Sequence, residues 1–230
     1  ECIGMSLPGN ATTAARSPKM LELAQDCGQR IMELVEQGIT PRQIITNESI
    51  ENALQVCQAI GGSGNTIIHI PATATEAGLT IDCSEIYARA SREIPLLIGI
   101  RPNGQYCMKD FEEAGGLGAL MNQMRDKLHL DCMQINGKTL KENIQGMQVL
   151  RPEVIHSMDD PIQADGGLVL VKGTLAPQGA FIKQSAVPEC LMRHTGPARC
   201  FNSRDEAIEA LRDGKIQSGD VCIVRYIGFK

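Results

Sequence analysis

A glycine-rich stretch at residues 58–69, "QAIGGSGNTIIH", holds the residues whose types and spacing first suggest chemistry. Asn65 follows the glycines, and asparagine is a good helix N-cap. The free N–H groups in the first turn of a helix attract anions. The stretch therefore predicts either a site for a carboxylate or phosphate, or a plain turn between two helices.

The known phosphate-binding motifs do not fit this stretch. A P-loop requires a lysine after its last glycine, and the dinucleotide fingerprint requires G-x-G-x-x-G after a strand. Ile67, Ile68 and Ile70 could form a strand instead of a helix, and Pro71 weakens a continuous helix. His69 taken alone fits a hydrogen-bonded structural histidine as well as a catalyst, so both roles stay open.

The nine cysteines are widely spaced, and no two form a C-x-x-C pair. This spacing does not favour a clustered zinc site. Several cysteines lie in apolar runs, such as Cys57 in "ALQVCQAI" and Cys222 in "DVCIV", which favours buried free thiols acting as small hydrophobes. The alternative is that some bind a cluster completed by residues outside this chain.

Composition limits the class of protein. The chain has 230 residues, 43% of them hydrophobic, which is enough for a real core and argues against disorder. The net charge of −5, without a basic block, argues against nucleic-acid binding. No run approaches the roughly 20 apolar residues of a membrane span, and no signal peptide is recognisable at the N-terminus. From these observations we expect a cytoplasmic protein without a membrane segment. We also expect a fragment, because the chain begins at Glu1.

The first half of the chain predicts helices with clear boundaries. Ser17 and Pro18 are predicted to start a long helix with an apolar stripe, and Gly38 is predicted to end it. A short helix is predicted after Thr40. Asn47 is predicted to cap the next helix, which runs into the glycine turn. The remaining predictions are a helix opened by Asp82 and Glu85, a buried strand "LLIGI", a glycine-broken helix "FEEAGGLGALMNQMRDKL", and a strand, turn and Thr139-capped helix in "CMQINGKTL".

Beyond about residue 150 the pattern changes. "DGGLVLVKGTLAPQGAFIKQSA" predicts a β-hairpin, "ARCF" and "VCIVRY" predict strands, and Ser203 with Glu206 predicts a capped helix over 204–212. The fold class predicted is α/β. We expect a helix-rich α/β domain over residues 1–158 and a β-rich domain over residues 159–230.

Seven blocks, in order, resemble the dihydroxy-acid and sugar-acid dehydratase family. They cover nearly the whole chain: "GMSLPGN" (4–10), "ENALQVCQAIGGSGNTIIHI" (51–70), "MKDFEEAGG" (108–116), "INGKTL" (135–140), "DGGLVLVKGTLAPQGAFIK" (165–183), "TGPARCF" (195–201) and "GDVCIVRY" (219–226). The resemblance implies an enzyme that removes water from a 2,3-dihydroxy carboxylate to give a 2-oxo acid. It also implies an iron–sulfur cluster, a Mg²⁺ ion, a homodimer and a barrel-like swivelling C-terminal domain, incomplete here.

The same resemblance places most of the family's chemistry outside this chain. The cluster cysteines and several magnesium ligands of the family lie upstream of Glu1, and its serine base lies downstream of residue 230. We therefore expect no catalytic residue here and no cofactor bound by this chain alone. Ile227 stands in "RYIGF" where family members have a magnesium-binding glutamate in "RYEGP", reflecting either divergence or an altered terminus. Isoleucine offers no oxygen donor to magnesium.

The resemblance implies that the glycine turn lines the substrate cavity. Ser63, Asn65, Thr66 and His69 are the residues expected to line it, by binding the substrate carboxylate or supporting the metal. "SLPGN" and "VRY" resemble the dihydroxy-acid branch, whereas "LMRHTGPA" and other blocks resemble the sugar-acid branch. Dihydroxy-acid dehydratase is preferred, with an aldonic-acid or phosphogluconate dehydratase as the alternative. A non-catalytic anion-binding module and an inactive truncated fragment are the rival classes.

Overall fold

The computed structural model describes residues 1–101 and 103–228. They form two compact units, Glu1–Ala186 and a second unit from Val187 onward. The domain boundary expected after residue 158 stays a prediction. No described helix is both long enough and apolar enough to cross a membrane.

The first unit is mainly helical. Its helices are α1 (Pro18–Gln37), α2 (Pro41–Ile44), α3 (Asn47–Ala59), α4 (Thr66–Glu76), α5 (Cys83–Glu93), α6 (Met108–Glu113), α7 (Gly116–Gln123) and α8 (Leu140–Ile144). Short 3-10 turns lie at Arg125–Lys127 and Gln184–Ala186. The hairpin of β1 (Val169–Val171) and β2 (Ala180–Ile182) is antiparallel, with Val169 opposite Ile182. The predicted hairpin is thereby confirmed.

The predicted helix boundaries agree closely with the structure wherever a capping residue defined them. The Ser17 hydroxyl accepts a hydrogen bond from the Met20 amide at 3.2 Å, and Gly38 ends α1 in the left-handed region at φ +67°. The Asp82 carboxylate accepts from two amides at the start of α5. Asn47 is not the cap of α3, as predicted, but its first helical residue. Thr46 is the cap, because its hydroxyl accepts from the Ser49 amide at 3.2 Å.

Three predictions about strands in the first unit are wrong. In "CMQINGKTL" no strand forms, and Met133 makes only an isolated bridge with Thr139. The "LLIGI" segment is buried but forms only isolated bridges, such as Leu96 with Gln163 and Ile98 with Ile155. The strand alternative for residues 67–70 is also wrong, since α4 begins at Thr66 and continues through Pro71.

Helix α3 is the centre of the first unit. One core cluster packs Ile50, Leu54 and Cys57 of α3 against Ile70 of α4 and Tyr87 of α5. Another includes Val56 and Ala59 at the end of α3, together with residues of α7 and α8. Because full burial of a large apolar side chain stabilises the fold by about 1.5–3 kcal/mol, this packing fixes the helix that leads into the glycine turn.

The second unit is small and contains the predicted β-strands and helix. Strands β3 (Ala198–Phe201) and β4 (Val221–Val224) pair in parallel, and α9 (Arg204–Arg212) connects them. A 3-10 turn lies at Glu189–Leu191. The Ser203 hydroxyl accepts from the Glu206 amide at 3.2 Å, as the capping pattern predicted. The described sheets have two strands each, which is consistent with an α/β chain.

The cysteine prediction is correct only for part of the set. Cys57, Cys83 and Cys132 are buried and Cys2 is half-buried. The others are exposed, including Cys222, which had been expected inside an apolar strand: Cys27, Cys107, Cys190, Cys200 and Cys222. All nine thiols are free. An apolar run in a two-stranded sheet does not ensure burial, because nothing in the described unit covers that face of β4.

Candidate functional site

The glycine turn joins α3 to α4 and is held by hydrogen bonds to the end of α3. Gly61 has φ +57°, in the left-handed region, and the Gly62 amide donates to the Cys57 carbonyl at 2.8 Å. The glycine at position 61 is required for this reversal, because a side chain strongly disfavours that backbone conformation. The turn therefore has a fixed shape.

Ser63 and Asn65 are the exposed polar residues of the turn. The Asn65 amide donates to the Ser63 hydroxyl at 3.2 Å, and the Asn65 side chain makes no capping hydrogen bond. The side-chain amide of Asn65 thus remains able to bind a ligand.

The first-turn amides of α4 are less available to an anion than the sequence suggested. The N–H groups of Thr66, Ile67 and Ile68 already donate to carbonyls of the preceding turn, each at 3.1 Å. Anion binding at this position would therefore depend on the side chains of Ser63 and Asn65 more than on the helix N-terminus.

Thr66 points inward. Its hydroxyl donates to the Ser63 carbonyl at 2.6 Å and accepts from the phenol of Tyr87 at 2.9 Å. Burial raises the pKa of the nearby Cys57 thiol to about 11, and the hydrogen bond to Thr66 offsets part of that effect. Thr66 thus supports the turn through these two hydrogen bonds.

His69 lies in a different place from the other three predicted residues. It is exposed on α4, where it lines a cleft of about 630 Å³ between α2 and α4. Arg42 and Glu76 also line this cleft, with 3.8 Å between the guanidinium Nη2 and the carboxylate Oε1. Ser63, Asn65 and Thr66 are not among the lining residues. The structure therefore places Ser63, Asn65 and Thr66 together at the turn, whereas His69 lies one helical turn further along α4 and lines the cleft.

A second pair of glycines packs directly on the turn. The Gly167 amide donates to the Gln58 carbonyl at 3.1 Å, and the Leu168 amide donates to the Gln58 side-chain oxygen at 3.0 Å. A Cβ atom at Gly167 would overlap the Cα of Gly61. Sequence reasoning missed Gln58 and Gly167, although two glycine pairs inside separate family blocks were a usable signal.

Two buried amide atoms beside Gly61 have unused hydrogen-bonding capacity. Asn103 donates to the Gly61 carbonyl at 3.1 Å, yet its Oδ1 has no partner among the described residues. The same holds for Nε2 of Gln58, a fully buried residue. The surroundings of the turn therefore contain one buried donor and one buried acceptor that are not satisfied by the described protein groups.

The described residues do not fit a metal centre on their own. Within residues 1–101 and 103–228, no three His, Cys, Asp or Glu side chains lie close enough to hold a metal ion. Ile227 is half exposed, and its hydrocarbon side chain has no donor atom.

Comparisons with known proteins cover the whole chain. Residues 1–143 match the family described as "Dihydroxy-acid/6-phosphogluconate dehydratase N-terminal", and residues 153–230 match its "C-terminal" counterpart. The chain is 46% identical over 234 residues to the dihydroxy-acid dehydratase of Methanococcoides burtonii. It is 47% identical over 232 residues to that of Caldicellulosiruptor bescii, and 42% identical over 234 residues to that of Methanosarcina barkeri.

Each alignment covers 100% of this chain and 42% of the relative, so the chain spans less than half the length of these relatives. The chain belongs to the dihydroxy-acid/6-phosphogluconate dehydratase family.

Proposed function

We propose that this chain forms part of a hydro-lyase that converts a 2,3-dihydroxy carboxylate to a 2-oxo acid, with dihydroxy-acid dehydratase of branched-chain amino acid biosynthesis as the activity. The observation that carries the proposal is the match over the whole chain, at 42–47% identity, to three proteins named dihydroxy-acid dehydratase. The C3 hydroxyl leaves, the C2 proton is removed, and the enol tautomerises to the ketone. Iron–sulfur and magnesium cofactors belong to the proposal for the whole enzyme. The described residues supply no such centre, so no step is assigned through one.

The glycine turn is the proposed substrate-facing part of this chain. Ser63 and Asn65 offer an exposed hydroxyl and amide next to each other, suited to a substrate carboxylate. Thr66 supports the turn from inside, through its bonds to Ser63 and Tyr87. His69 would act one helical turn beyond Asn65, in the cleft with Arg42. The proposed whole enzyme is a cytoplasmic homodimer with a barrel-like second domain.

The test is a chimera in which this chain replaces the matching 42% of the Methanococcoides burtonii enzyme. The chimera should form a 2-oxo acid from 2,3-dihydroxyisovalerate. Activity only on aldonic acids would contradict the dihydroxy-acid assignment. A parallel chimera with Ile227→Glu separates a folding failure from a missing carboxylate, because only the latter is rescued by this change.

The site itself is tested by Asn65→Asp in the active chimera. This near-isosteric change adds a negative charge beside the proposed carboxylate site, so KM should rise about tenfold or more, a free-energy change of about 1.4 kcal/mol. Asn47→Asp is the matched control, because Asn47 is also exposed at the start of a helix. An unchanged KM in Asn65→Asp would remove Asn65 from the site.

A further inference from the structure

Two asparagine–glycine pairs lie in loops of the first unit, one at residues 103–104 and one at residues 136–137. Asparagine followed by glycine is the dipeptide most prone to spontaneous deamidation, because glycine has no side chain to shield its amide nitrogen. That nitrogen attacks the asparagine Cγ once it has lost its proton and is within reach. The hydrogen bonds around each pair therefore decide which of them can react.

The pair at residues 136–137 is held in an unreactive arrangement. The Gly137 amide donates to the Gln134 carbonyl at 2.9 Å, so its nitrogen is not free to attack. The Asn136 side chain donates to Oδ1 of Asn143 at 2.8 Å and accepts from Nδ2 of Asn143 at 3.2 Å. The Lys138 amide also donates to the Asn136 Oδ1, at 3.2 Å. Several of these bonds must break before the side chain and the glycine nitrogen can meet.

Asn103 has fewer restraints. Its Nδ2 donates to the Gly61 carbonyl at 3.1 Å, and its Oδ1 has no hydrogen-bond partner among the described residues. The Gly104 amide donates to no backbone carbonyl within residues 1–101 and 103–228. Both Asn103 and Gly104 are half-buried, so solvent reaches them. One side-chain hydrogen bond is thus the main restraint on ring closure at this pair.

We propose that Asn103 is a site of spontaneous deamidation in the folded protein. The Gly104 nitrogen loses its proton to hydroxide and attacks Cγ of Asn103. A new C–N bond closes a succinimide ring, the bond from Cγ to Nδ2 breaks, and Nδ2 takes a proton from water and leaves as ammonia. Water then adds to one imide carbonyl and opens the ring to aspartate or isoaspartate. The net reaction consumes water and releases ammonia, without any oxidation or reduction.

Deamidation of Asn103 acts on the glycine turn. The carboxylate that replaces the amide cannot donate, so two acceptors then face each other at the Gly61 carbonyl. The backbone reversal at Gly61, with φ +57°, loses the side chain that holds its carbonyl. The turn with Ser63 and Asn65 becomes more mobile as a result. This effect on the site rests on the proposed function, whereas the modification itself does not.

Peptide mapping of the 230-residue chain, aged at mildly alkaline pH in heavy-oxygen water, tests the proposal by mass spectrometry. The heavy oxygen marks each new carboxylate, and chromatography separates the aspartate and isoaspartate forms. Asn103 should react about tenfold faster than Asn136 or more, since several hydrogen bonds protect Asn136. The rate should rise with pH, because the attacking nitrogen must be deprotonated. An intact Asn103, or equal rates at the two asparagines, would overturn the proposal.

The same ageing experiment in guanidinium chloride is the matched control. Unfolding removes every contact that distinguishes the two pairs, so Asn103 and Asn136 should then react at similar rates. A preference for Asn103 that persists undiminished in the unfolded chain would come from the neighbouring sequence and not from the fold. That result would also overturn the assignment.

Asn103→Asp reproduces one product of the reaction. Amide exchange at residues 61–66 should become about tenfold faster in this variant, and also in deamidated parent chain purified by its added negative charge. Asn47→Asp is the control, because Asn47 is exposed at the opposite end of α3 and the charge change is the same. Unchanged exchange in both the variant and the deamidated chain would overturn the role of Asn103 in the turn. An inactive chimera would contradict the proposed function alone, because mass and exchange are measured without substrate.

Discussion

The phenol of Tyr87 donates a 2.9 Å hydrogen bond to the hydroxyl of Thr66, which in turn donates to the Ser63 carbonyl at 2.6 Å. Tyr87 is 1% exposed, and its ring packs edge-on against Phe181 of β2, with 5.3 Å between centroids. A buried aromatic residue of α5 thus connects the hairpin to the glycine turn.

Tyr87→Phe tests this connection. It removes one hydrogen bond while keeping the ring, so the free energy of unfolding should fall by about 1 kcal/mol. Urea denaturation measures the loss, and amide exchange should become faster at residues 63–69. Tyr106→Phe is the control, because Tyr106 is half-buried and packs against the other core cluster, which does not include Tyr87. Equal effects in the two variants would show that the Tyr87 hydroxyl does not hold the turn.

Gly167→Ala should destabilise the packing of the second glycine pair on the turn. The new Cβ would overlap the Cα of Gly61, and backbone on both sides leaves no flexible neighbour to move. We expect a loss of about 1–3 kcal/mol in the free energy of unfolding, typical of overpacking. Gly173→Ala is the matched control, because a Cβ there meets nothing within 4 Å. Similar midpoints for both variants in urea would contradict the contact.

The sequence predicted those features of the fold that depend on neighbouring residues. Ser17 with Pro18 and Gly38 defined both ends of α1, and Ser203 with Glu206 defined the start of α9. In each case a side chain or a positive φ satisfies orphan backbone groups within a few residues, so no distant information is needed. The family was likewise recognisable from ordered blocks of sequence.

Features that depend on distant residues could not be predicted in this way. The periodicity of α1 predicted an apolar face but not whether anything covers it. The "LLIGI" run has the composition of a strand, yet its pairing depends on Gln163 and Ile155, far along the chain. Thr66 was expected to line a cavity, and its inward orientation is set by Tyr87 on another helix. The site residues Ser63, Asn65, Thr66 and His69 stay predictions.

The buried thiol of Cys57 should make the fold less stable at alkaline pH. Burial raises its pKa from an ordinary value of 9.0 to about 11. Between these values the unfolded chain has lost the thiol proton while the folded chain keeps it, so stability falls as pH rises. Full stability from this group is present below about pH 9 and is lost by about pH 11.

Comparing urea denaturation of the parent chain and Cys57→Ala from pH 8 to pH 11 measures this effect. The parent should lose on the order of 2 kcal/mol more than the variant over this range. Iodoacetamide at pH 8 should modify exposed Cys27 well before Cys57, as read by mass spectrometry of the peptides. Parallel stability curves, or equal labelling, would contradict the raised pKa.

Asp110 should titrate well below an ordinary carboxyl group. The pKa of its carboxyl is lowered from 3.8 to about 2, first by the Cys107 thiol and amide, which donate at 2.9 and 2.8 Å, and then by Arg151. Because the folded pKa of Asp110 is depressed, this capping interaction is fully present above about pH 4 and weakens as pH falls towards 2.

Carboxyl NMR shifts of Asp110 measure the titration directly. Cys107→Ala should raise the pKa more than Arg151→Gln does, since the thiol contributes more than the guanidinium. The reverse order would show that the ion pair with Arg151, at 3.4 Å, dominates at the start of α6.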